Sequence, residues 1–145
     1  MDNLVQKIEK PVVLLSIQIM SLYLWFLAGF AKLTKDGALD GFSKRFEGSG
    51  LDTLPGGMSL QFYSIAIIEL VIAAFFAISL LQLEVKKSSQ PWLRLGLLGA
   101  MLILVILGFG LRFVGDNPGF ANIYFYLGAT FVFFFIVKQY ERKNL

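Results

Sequence analysis

Residues 63–83 read YSIAIIELVIAAFFAISLLQL. A single ionisable side chain, Glu69, interrupts this otherwise uncharged run. About 20 predominantly apolar residues are what an α-helix needs to cross a hydrocarbon core of about 30 Å. The run shows no period-two alternation, and a membrane barrel strand would alternate over about ten residues. In lipid every backbone N–H and C=O needs a partner inside the protein. Only a helix supplies all of them within one segment.

Working outward, three further runs have the same character. The spans are placed at about residues 12–31, 62–83, 92–111 and 120–137, with the second starting between Leu60 and Tyr63. Over 145 residues 57% are apolar and 16% charged, with a mean hydropathy of +0.70. A soluble domain would carry roughly 25% charged residues. The expectation is a single all-α domain over 1–145, an integral membrane four-helix bundle. A water-soluble enzyme is excluded. The first apolar run is longer than the roughly 7–15 residues of a signal peptide's core, so it is read as a retained span.

The chain has no cysteine and no histidine. Thiolate nucleophiles, CxxC redox chemistry and the commonest haem and zinc ligand are therefore missing. The formal charge of +3 is too small to argue for nucleic acid. No phosphate loop, nucleophile elbow or metal-ligand cluster is visible. Asp36, Asp40 and Asp52 match no cation-binding spacing and read as a solvated face.

Charge placement sets orientation. With four spans, Lys7, Lys10, Lys86, Lys87, Arg94, Lys138, Arg142 and Lys143 share one side. Lys32, Lys35, Lys44, Arg45 and Arg112 share the other. The balance favours both termini in the cytoplasm and a multi-pass protein of the cytoplasmic membrane. The loop at 33–59 holds six glycines and Pro55. Leu39, Phe42 and Phe46 fall there at helical spacing. Two readings stay open: a short amphipathic helix on the outer leaflet, or an irregular loop with two aromatic anchors. Leu54 to Gly57 read as a turn before the second span.

An ionisable residue inside the membrane is costly and marks a candidate site. Glu69 shares a helix face with Ala66, Ala73 and Ala77, and small residues mark helix contact in lipid. In the first span Gln18, Ser21, Trp25, Gly29 and Lys32 recur at three- and four-residue steps on one face. The candidate site residues are Lys32, Glu69, Gln18 and Trp25. Lys32 and Glu69 differ in depth by about 10 Å, so a pair between them needs a late start to the second span. Three readings stay open. The two neutralise each other and fix packing. Lys32 snorkels to the interface and leaves Glu69 protonated in a dry site. Or the two line a pocket for a polar ligand head or relay protons. Trp25 and Trp92, like Tyr124 and Tyr126, read as interface aromatics. Gly96, Gly99 and Ala100 read as a packing face.

Gly29-Phe30-Ala31-Lys32-Leu33 resembles the GxxKL signature of the DoxX-like membrane proteins. Glu69 within Ile68-Glu69-Leu70-Val71 and the basic linker from Lys86 to Arg94 resemble the same family, and the likeness spans essentially the whole chain. Two departures stand out. Ala73, Ala74 and Ala77 replace the glycines common after that glutamate, and the first loop is longer and more charged. The resemblance implies a four-helix bundle with cytoplasmic termini, working as a small non-catalytic subunit of a membrane redox complex. It implies Lys32 and Glu69 as the characteristic intramembrane pair, and a quinone as the ligand class with no covalent cofactor. The expected partners are the lipid bilayer and either other membrane subunits or further copies of the chain. A structural or assembly subunit and a small lipid- or solute-handling protein are the alternatives.

Overall fold

Continuous runs of predominantly apolar residues produce four long helices. The computed structural model describes residues 2–142, with side chains described at residue 9 and from residue 11 onward. Lys143 and the side chains of Lys7 and Lys10, counted in the charge balance above, lie outside the described residues. The long helices are α1 (Asp2–Thr34), α3 (Gly57–Leu81), α4 (Pro91–Phe113) and α5 (Asn117–Arg142). A short helix, α2 (Ala38–Phe46), lies between α1 and α3. All four long helices contain a segment long and apolar enough to cross a membrane; in α1 it begins at Pro11.

The helices pack as a row folded into a bundle. α1 lies along α3, α3 along α4, and α4 along α5, while α1 and α5 touch only slightly. Leu14, Ile17, Ile72, Phe76, Leu97 and Ile103 form the centre of the core. The exterior is as apolar as the interior. Leu102, Phe109, Phe125 and Phe135 are each more than half exposed. Water would penalise such a surface, whereas hydrocarbon does not.

Without a hydrophobic force between helices in lipid, close backbone approach and van der Waals contact hold the bundle. Two glycines show where this happens. A Cβ on Gly29 would stand 2.9 Å from the Ala66 carbonyl oxygen, so α1 meets the backbone of α3 there. A Cβ on Gly96 would stand 2.9 Å from the Phe76 ring, so α4 seats that ring in its surface.

The segment at 38–46, open between two readings in the sequence, is a helix. Its apolar side turns inward: Phe42 lies 4.6 Å from Phe46 and 5.3 Å from Phe62, ring centre to ring centre. α2 therefore packs on α3 and caps the loop end of the bundle. An ion pair from Arg45 to Asp116 ties it to the α4–α5 turn. Asp116 also accepts a hydrogen bond from Gly119 N at 2.9 Å, capping the start of α5. The turn at Leu54 to Gly57 closes through Gly57 N and Leu54 O at 3.0 Å. Gly56 there has φ +85°, a left-handed conformation that glycine adopts without a Cβ penalty.

Gly29→Ala forces a methyl against the Ala66 carbonyl, and overpacking of this kind costs about 1–3 kcal/mol. Thermal unfolding in detergent should show a clearly lowered Tm. Gly128→Ala, where a Cβ meets nothing within 4 Å, should leave Tm unchanged.

Candidate functional site

The contact between Gly29 and Ala66 sets the register of α1 on α3, and that register places the charges. Lys32 lies about one turn beyond Gly29, and Glu69 about one turn beyond Ala66 in the opposite sense along the bundle. The lysine side chain bridges the gap. Its Nζ donates to Glu69 Oε1 at 2.8 Å and to Oε2 at 2.7 Å. A longer contact of 3.4 Å reaches the Ala28 carbonyl. The Glu69 side chain is 3% exposed and that of Lys32 26%, so the carboxylate is sheltered and the ammonium faces outward. The pair closes even though α3 starts at Gly57, earlier than residue 62. The first turns of α3 run past the end of α1 by roughly 6 Å and pack under α2, so helix start and depth are not the same quantity.

Lys32 forms part of the wall of a cavity of about 660 Å³ at the loop end. The cavity lies beneath α2 and between α3 and α4. Phe42, Phe46, Ile65, Ile106, Leu107 and Ile123 supply apolar walls. The polar lining is Lys32, Arg45, Gln61 and Ser64. Gln61 donates through Nε2 to Leu51 O at 2.6 Å, which steadies the loop above. Gly110 admits the Phe46 ring: a Cβ there would lie 3.5 Å from it. Glu69 does not line the cavity. It stands behind Lys32 and balances its charge.

Gln18 and Trp25 stand away from this cavity. Gln18 is fully buried and donates through Nε2 to Ser79 Oγ at 2.6 Å, towards the end of the bundle where the termini lie. Trp25 is 6% exposed within the core. It is therefore not an interface aromatic: the polar stripe of α1 turns inward and carries the indole with it. Among the described residues, no three acidic side chains gather to hold a metal, Asp36, Asp40 and Asp52 included.

The termini end holds a second buried carboxylate, Glu84, which is not among the residues singled out from the sequence. Ser79 Oγ donates to Glu84 Oε2 at 2.6 Å. Trp92 N and Leu93 N donate to Oε1 and Oε2 at 3.1 and 3.0 Å. These are two of the free N–H groups at the start of α4, and a carboxylate is the group that the positive end of a helix favours. Gln90, in the N-cap position, makes no side-chain cap of its own, so Glu84 caps from a distance. Leu83, with φ 51°, makes the left-handed turn immediately before Glu84. Beside it Glu141 of α5 accepts from Gln90 N at 2.8 Å and from Arg94 Nη1 at 3.1 Å. No capping motif at local spacing links Glu84 to α4, so pattern rules had no signal to find it.

Four apolar helices with lipid-compatible exteriors define a multi-pass integral membrane protein on a small four-helix bundle. No family model, curated protein or solved structure matches the chain.

Removing one partner of a buried ion pair costs about 3–5 kcal/mol, whereas replacing both by apolar residues is often neutral. Lys32→Met should therefore lower Tm strongly, and Lys32→Met combined with Glu69→Met should recover most of the loss. Glu84→Ala strands two helix N–H groups, at about 1–3 kcal/mol each. Its Tm should fall.

Proposed function

We propose that the chain is a non-catalytic subunit of a membrane redox assembly of the DoxX-like kind, with the loop-end cavity holding the head of a membrane-soluble ligand. A quinone is the ligand class that the family resemblance implies. The observation that carries the reading is the cavity itself. Its volume of about 660 Å³ falls within the range of about 300–1,000 Å³ typical of small-molecule sites. Apolar walls with a few convergent polar groups are likewise the usual composition of such sites.

The chemistry follows from the residues. Lys32 has three N–H bonds; two are held by Glu69, and the third meets only the 3.4 Å contact to Ala28 O. That third donor suits a carbonyl oxygen of a quinone head. Glu69 cancels the lysine charge, so a neutral ligand binds without an uncompensated cation beside it. Ser64 Oγ adds a second donor on the cavity wall. A chain without cysteine or histidine supplies neither thiolate nor imidazole, so electrons are carried by the ligand and by partner subunits. With both termini in the cytoplasm, as the Lys and Arg balance favours, the cavity lies at the outer face of the membrane.

One observation favours a second reading. Lys32 satisfies both oxygens of Glu69, and the carboxylate does not reach the cavity surface. A purely structural pair in an assembly subunit would look the same. Binding of a decyl-tailed benzoquinone to the purified protein separates the two. Wild type should bind saturably, and Glu69→Gln at matched folded concentration should weaken binding about tenfold, the effect of about 1.4 kcal/mol. Unchanged binding together with a lowered folded fraction would favour the assembly subunit.

A further inference from the structure

We infer that the groove between α3 and α4 is a tail channel, so that the ligand is a single-tailed amphiphile held with its head under α2 and its hydrocarbon chain along the bilayer-facing seam of these helices. This rests on the reading of the loop-end cavity as a head site. A second recess, of about 220 Å³, lies directly along α3 and α4 from that cavity. The two share Ile68, Ile103 and Ile106 as lining residues, so they are neighbouring parts of one surface depression. Every residue of the second recess is apolar or glycine.

The placement fits a chain better than a compact molecule. From Gln61 to Phe75 along α3 the two recesses cover about 21 Å in the direction of the helix axes. The polar lining groups, Lys32, Arg45, Gln61 and Ser64, all belong to the loop-end part. The distal part offers only hydrocarbon contact. A head-to-tail polarity is thus built into the wall, with hydrogen-bonding groups at one end and none at the other.

Two features give the distal part its shape. Gly99 supplies no side chain to fill it, and a Cβ there would press on Ile72 at 3.1 Å. Phe75, tilted against Trp92 with ring centres 5.9 Å apart, closes it towards the termini end. On the open side Val71, Leu102 and Ile106 are 48%, 65% and 51% exposed, so the groove faces the bilayer. A tail can enter from the hydrocarbon phase without leaving it. The recess is a seam between one pair of helices, and its volume of about 220 Å³ suits one chain. In lipid a tail gains little from leaving water, so binding there rests on dispersion contact with a fitted wall.

The test uses the full chain in nanodiscs and benzoquinones with a methyl, butyl or decyl tail, compared at equal mole fraction in the bilayer. For wild type the decyl probe should bind about fivefold tighter than the methyl probe. Leu102→Trp, which fills the groove from its exposed side, should erase that difference while leaving the methyl probe unaffected. Leu98→Trp, also on the exposed surface of α4 but outside the groove, should keep it. A photoreactive group at the end of the decyl tail should label peptides carrying Phe75 or Leu102. Head binding with no dependence on tail length, or labelling confined to α5, overturns the tail channel and leaves the head site standing. Absence of saturable binding by every probe overturns both. Equal displacement of the decyl probe by a double-tailed phospholipid overturns the single-tail assignment.

Discussion

The close approach of Gly29 to the Ala66 carbonyl is the contact on which the rest of the loop end depends. It is a van der Waals contact between two backbones, available only because no side chain intervenes. It fixes how far α1 slides along α3, and that offset decides whether Lys32 reaches Glu69. A shift of one helical turn, about 5.4 Å, would leave a carboxylate in hydrocarbon with no cation in range. The ion pair is therefore a consequence of the helix packing as much as a cause of it. Once formed, it penalises every other register.

The two ends of the bundle solve the same problem in opposite ways. At the termini end Gln18, Ser79 and Glu84 are fully buried and hydrogen-bonded in sequence, and the carboxylate closes on the N–H groups of α4. Glu141 and Arg94 add a second tie between α4 and α5. That end is filled. At the loop end the ion pair occupies the α1–α3 contact, while α3 and α4 are separated by a cavity roofed by α2. The roof is tethered by the exposed Arg45–Asp116 pair and by the rings of Phe42 and Phe46. Exposed ion pairs contribute little, about 0–1 kcal/mol, so aromatic packing is the main restraint on α2.

Much of the fold was legible in the sequence, because the lipid constraint is severe. Four runs of apolar residues could only be helices, and Gly96 with Gly99 and Ala100 announced a packing face. Lys32 and Glu69 stood out for the same reason: charges are rare enough in this chain to be noticed. Other features were not legible. Whether residues 38–46 form a helix depended on Phe42 finding Phe62, a contact between segments that no local pattern encodes. Glu84, between the second span and the basic linker, carries no local signal of its role. Its role comes from Leu83 turning the chain, and from α4 starting several residues later at the same level. Asp116 was not singled out either, although Asp-Asn-Pro-Gly at 116–119 is a helix-start pattern. Its second role, holding Arg45 of α2, again required the fold. Trp25 and Gln18 share a helix face with Lys32, but a face some 21 Å long passes both the core and the termini end before it reaches the cavity. Periodicity fixes the side of a helix on which a residue lies and says nothing of the depth at which a site begins.

Depth is what separates the polar groups of this bundle into different tasks. Those at the termini end meet helix N–H groups or each other. Those at the loop end meet a cavity, and only the cation of the ion pair reaches its surface. A carboxylate placed there instead would repel an electron-rich carbonyl and would accept hydrogen bonds only. With the lysine forward and the glutamate behind, the pair presents a donor whose charge is balanced from within the bundle. Under the function proposed above, that arrangement serves a neutral, oxygen-bearing head that arrives through the membrane.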